Sequence, residues 1–182
     1  MDKLLTLQIH HRNEERQALI NFVASCNQWI FKLSTIRFGD YNLKNFQELK
    51  IKIADIQDEY FLSIYAERIK ILLFITNEEV NRMTNTLVES IEKYKSDMKL
   101  ILTELLDLLE TQYSSSYHNT DFDDEGPYTY IAYSINNTIK IAKLSEYFEN
   151  LNLRSFSDSM LKIESFAGIA KTYLISEEFN RS

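Results

Sequence analysis

Apolar residues recur along this chain at steps of three and four over most of its length, and most regularly between Val80 and Leu108. There Val80, Thr84, Leu87, Ile91, Tyr94, Met98, Ile101, Leu105 and Leu108 fall on one face of a single helix for four heptads. Thr76 and Glu79 predict a capping box that starts this helix, and the period carries it to about Gln112. Upstream, Asn13 followed by Glu14 and Glu15 predicts a first helix running to about Phe38. Its inner stripe is Leu19, Val23, Cys26, Ile30 and Leu33, widened by Phe22 and Trp29. Carried backward, the same register would turn Arg12 and Arg16 inward, so residues 1–12 are expected to form an N-terminal arm or a frayed first turn.

Gly39 to Asn42 carries turn chemistry, with Gly39 suited to a left-handed cap. A second helix is expected from Leu43 to Ile75, apolar nearly all round beyond Tyr60, as in a central helix or one that faces a second subunit. Residues 113–127 hold three consecutive serines, Asp121, Asp123, Asp124, Glu125 and Gly126 without an apolar period, and predict one long acidic loop. A fourth helix follows from Tyr128 through Ile131, Ile135, Ile139 and Ala142. A break at Asn150 to Ser155 then leads to a fifth through Phe156, Met160, Ile163, Ala167, Ala170 and Leu174.

With one proline and three glycines there is little to interrupt helix. The expected fold is all-α, an antiparallel bundle of four to five helices in a single domain over residues 1–182. The second and third helices would form its long central hairpin.

Composition narrows the function classes. A chain of 182 residues buries roughly 70 % of its extended surface on folding and needs no disulfide or metal to hold together. A net charge of -7 disfavours nucleic acid, whose binding rests on Lys and Arg displacing counterions, and favours a basic protein partner. Cys26 is the only cysteine, which excludes an internal disulfide and fits a reducing compartment. Residues 1–12 show neither a signal-length apolar run nor a small-residue cleavage site, so a cytoplasmic location is expected. The most apolar window, Tyr60 to Ile75, contains Glu67, Arg68 and Lys70 and is shorter than the roughly 20 residues of a membrane span, so no membrane role is expected.

Candidate chemistry is sparse. Glu89 with Glu92, and Glu104 with Asp107, imitate the paired carboxylates by which all-helical nucleotide pyrophosphohydrolases hold magnesium. On one straight helix Glu92 and Glu104 would stand roughly 18 Å apart, so such a site needs a break between them. Asp121, Asp123 and Glu125 open with calcium-loop spacing, but the twelfth position is Ala132. None of His10, His11 and His118 follows a glutamate by three residues, as a di-iron bundle requires, or an arginine by four to six, as a HEPN-type ribonuclease does. His10 and Glu14 have zinc half-site spacing, which an exposed helix start explains equally. Cys26 lies in an apolar stripe with no neighbouring histidine and suits a small buried side chain. No catalytic residue and no cofactor is assigned.

Aromatic residues supply the remaining candidates. Tyr117, Tyr128 and Tyr130 surround the acidic loop, and Tyr65 and Phe74 sit on the apolar second helix; these five are the expected interface residues. The leading expectation is a helical interaction module, homodimeric, with the character of an immunity or antitoxin-like accessory protein. The alternatives are a divalent-metal nucleotide hydrolase built from Glu89, Glu92, Glu104 and Asp107, and a bundle with a ligand cavity near Trp29.

Arg68-Ile69-Lys70-Ile71-Leu72-Leu73-Phe74 followed by Thr76-Asn77-Glu78-Glu79 resembles the helical core of a group of uncharacterised bacterial proteins. In these a basic-apolar helix ends in Asn-Glu-Glu and a second long helix follows. The resemblance covers about residues 13 to 110 and implies a helical hairpin but no activity. Those proteins usually carry a transmembrane helix ahead of the module, and no such span occurs in this sequence.

Overall fold

The computed structural model describes residues 2–56, 59–118 and 127–179. Within them the chain forms α1 (Asp2–Ser34), one 3-10 turn (Phe38–Asp40), α2 (Phe46–Asp55), α3 (Glu59–Phe74), α4 (Glu78–His118) and α5 (Pro127–Phe179), with no strand. The fold is all-α. No described helix is long and apolar enough to cross a membrane.

The packed pairs α1–α5, α2–α4 and α4–α5 run antiparallel. Along α1 and α3, His11 meets Phe74 edge-on with ring centres 6.0 Å apart. Along α1 and α5, Phe22 stacks edge-on with Phe166 at 5.2 Å, and the Tyr173 hydroxyl lies 3.4 Å from Glu15. Between α4 and α5, the ammonium of Lys162 donates to Ser90 Oγ at 2.9 Å. The long hairpin is thus built by α4 and α5, with α1 and α3 packed beside it and α2 on the far half of α4. Lys50 pairs with Glu110 and Phe46 stacks on Tyr113 at that far end. The heptad face of α4 forms the spine of the core: Val80, Thr84, Leu87, Ile91, Tyr94, Met98, Ile101 and Leu105 are all buried.

Several boundaries differ from the sequence expectations. Residues 2–12 continue α1 and form no separate arm. The register that would bury two arginines is accommodated because Arg12 reaches the carbonyl of Glu177 near the end of α5 at 3.4 Å, while Arg16 stays exposed. The first helix ends at Ser34, and Gly39 sits in the 3-10 turn; no described residue has a positive φ, so no left-handed cap is present there.

The expected helix from Leu43 to Ile75 is two helices. Leu49 and Ile56 are buried seven residues apart, and so are Ile64 and Ile71, but the eight-residue step from Ile56 to Ile64 rotates the inner face by about 80°. The break absorbs that rotation and lets α2 pack on α4 while α3 packs on α1. The cap of α4 is Asn77, whose Oδ1 accepts the Val80 N–H at 3.0 Å, in place of a Thr76 capping box. Helix α4 continues to His118, through the first residues of the expected loop. Pro127 opens α5, where its missing N–H costs nothing.

The expected break at Asn150 to Ser155 does not occur, because Asn152 is 5 % exposed and works inside the bundle. Its Oδ1 accepts the Tyr94 hydroxyl, and its Nδ2 donates to the Ile36 carbonyl at 3.5 Å.

Candidate functional site

The four carboxylates considered for a metal all lie on α4, which is unbroken from Glu78 to His118. Glu89, Glu104 and Asp107 are exposed and Glu92 is half-buried, and at the helical rise Glu92 and Glu104 remain roughly 18 Å apart. Burial and the neighbouring Lys99 push the Lys95 ammonium below its usual range, against the attraction of Glu92. Among the described residues no group of three or more His, Cys, Asp or Glu side chains lies together as a metal site. Asp121, Asp123, Asp124 and Glu125 lie outside the described residues.

His10 and His11 each pair with the glutamate four residues on, Nε2 to Glu14 at 3.4 Å and Nδ1 to Glu15 at 3.5 Å. Cys26 is fully buried, and desolvation pushes its thiol far above its ordinary value of 9.0. That thiol is a core side chain, not a nucleophile.

Of the expected interface residues, Tyr65 and Phe74 are half-buried and pack against the core. Tyr65 lies beneath the Arg68 guanidinium at 5.9 Å and Phe74 against His11, so both rings are partly occupied within the chain. The side chains of Tyr117, Tyr128 and Tyr130 lie outside the described residues. The structure instead uncovers a different stripe of α3. Leu62, Ala66, Ile69 and Leu73 are all exposed at steps of four, three and four, with Leu72 beside them. Leu73 is 73 % exposed, Leu62 65 % and Ile69 55 %. The spacing is present in the sequence, but on a helix apolar all round it does not say which stripe faces outward.

A second feature is a groove of about 680 Å³ between the first half of α1 and the last turns of α5. Leu19 and Ala170 form its buried floor, and Ile20, Val23, Leu174 and Ile175 its walls. Arg12, Arg16 and Lys171 line its polar edge together with Glu15 and Glu177. Ala167 and Ala170 belong to the expected fifth helix, which the structure joins to the expected fourth. Because those two are one continuous helix, the small side chains face α1 and open this groove. The cleft beside Trp29, by contrast, holds only about 10 Å³, no more than one water.

No protein-family model, no curated protein and no solved structure matches this chain.

Proposed function

We propose that this chain is a helical interaction module that pairs with a second copy of itself through the outward stripe of α3. The observation that carries the reading is the exposure of Leu62, Ala66, Ile69 and Leu73 at coiled-coil spacing. A bundle with its core complete has no use for such a seam in water, and a contiguous exposed apolar patch is the usual mark of an interface.

The choice of a second copy follows from charge and symmetry. The seam is uncharged although the chain carries -7, so two copies meet there without like-charge repulsion. Lys70, beside Ile69, is already paired with Glu67 at 2.6 Å. The order Leu, Ala, Ile, Leu is also nearly palindromic. Two antiparallel α3 helices would set Leu62 against Leu73 and Ala66 against Ile69, giving a self-complementary two-fold interface. Full burial of a leucine or isoleucine is worth about 1.5–3 kcal/mol, so six such side chains can meet an association cost of about 4–15 kcal/mol. The acidic remainder of the surface would suit a basic partner protein, as in an immunity or antitoxin-like role.

Sedimentation velocity across a concentration series tests the reading, with Ile69→Glu as the control at an exposed position. The expected result is a dimer for the parent chain and a monomer for Ile69→Glu with unchanged helical circular dichroism. A parent chain that stays monomeric at high micromolar concentration, or a dimer indifferent to Ile69→Glu, overturns it.

A further inference from the structure

The groove between α1 and α5 has no role in α3 pairing, since it lies on the α5 side of α1. Its body is apolar, yet its edge gathers three of the 20 basic side chains of an acidic protein. The antiparallel pairing of Phe22 with Phe166, Glu15 with Tyr173 and Arg12 with Glu177 sets Arg16 level with Lys171, one on each wall. Both are exposed, and neither has a hydrogen bond or ion pair among the described residues. Of the acidic residues on the lining, Glu15 is held between His11 Nδ1 at 3.5 Å and the Tyr173 hydroxyl at 3.4 Å, and the backbone carbonyl of Glu177 accepts from Arg12 at 3.4 Å.

We infer that this groove binds an amphiphilic anion, with the apolar chain along Leu19, Ile20 and Leu174 and the carboxylate head between Arg16 and Lys171. The volume of about 680 Å³ falls within the range of small-molecule sites. From Ile9 to Val23 the wall on α1 runs roughly 21 Å, a length suited to an extended acyl chain. Ala167 and Ala170 supply the room, where larger side chains would close the two helices over it. Two unpaired cations level with one another at the edge of an apolar trough favour an anionic head over a neutral one.

Isothermal titration with decanoate below its micellar concentration, and with decan-1-ol as the uncharged comparator, tests this. Decanoate is expected to bind one to one and at least tenfold more tightly than decanol. The double variant Arg16→Gln/Lys171→Gln should weaken decanoate about tenfold and leave decanol unchanged. Ala167→Phe should abolish both; if it lowers the melting temperature, Ile20→Gln at an exposed wall position replaces it and should weaken both. Absence of binding at millimolar decanoate, equal affinity for acid and alcohol, or binding that survives the filled groove overturns the inference. So does an acidic amphipathic peptide that binds this groove where decanoate does not, since that assigns it to a protein partner.

Discussion

Tyr94 and Asn152, 58 residues apart, meet inside the bundle, where the tyrosine hydroxyl donates to Oδ1 of the asparagine. The Asn152 amide in turn donates to the Ile36 carbonyl at 3.5 Å, beyond the end of α1 where the backbone has no helical partner. One side chain therefore joins α4, α5 and the α1 exit. Burial also drives the Tyr94 phenol far above its ordinary value of 10.0.

Asn152→Leu should cost about 1–3 kcal/mol, because it strands a buried hydroxyl and a carbonyl together. Tyr94→Phe should cost less, since it strands only Asn152 Oδ1. The double variant should be more stable than the sum of the two losses implies, as read from urea unfolding in a double-mutant cycle. Strict additivity would mean that the two residues do not interact.

Leu153 is 72 % exposed in the middle of α5, so its side chain contributes little to packing. Leu153→Pro should nonetheless destabilise the protein by about 3 kcal/mol or more, because a proline within a continuous helix removes a backbone hydrogen bond and clashes with the preceding turn. If Asn150 to Ser155 were a connection between two helices, the same change would shift the thermal midpoint very little.

Phe166→Ala should cost about 3–5 kcal/mol, by loss of apolar burial and the cavity left against Phe22. Phe31→Ala, on the same helix as Phe22 but 66 % exposed, should change stability by no more than about 0.5 kcal/mol. Chemical denaturation of the two variants checks the contrast.

Alkaline pH should destabilise the fold through Cys26 and Tyr94. Both have folded-state values raised by burial above their ordinary 9.0 and 10.0, so the native state holds its protons while the unfolded chain releases them. Below pH 9 both states are protonated and these groups leave stability unaffected. Above about pH 9 for the thiol and pH 10 for the phenol, each should lower unfolding free energy by about 1.4 kcal/mol per pH unit. Cys26→Ala should remove the earlier part of the decline, and native Cys26 should resist thiol reagents until the protein unfolds.

The heptads from Val80 to Leu105 were legible as one buried helical face because their period is unbroken within a single element. Most of the inner stripe of α1 was legible in the same way: Leu19, Phe22, Cys26, Trp29, Ile30 and Leu33 are buried, while Val23 is half-buried on a wall of the α1–α5 groove. Boundaries were less so. Asn152 has the composition of a connection, and only its two partners from distant segments make it a core residue. The first turns of α1 carry polar residues that a lone helix would leave unsupported, but His11 and Arg12 find Phe74 and Glu177 on neighbouring helices.

Local order in the chain therefore determined the all-α class, the long helix α4 and the composition of the core, since these depend on spacing within one element. Tertiary structure alone decided that α4 pairs with one continuous α5, that the apolar stretch before it breaks to serve two neighbours, and that the Leu62 to Leu73 stripe and the α1–α5 groove are left open. Those outcomes depend on which helices lie side by side, and a helix that is apolar all round carries no local mark of the face its neighbours will leave uncovered.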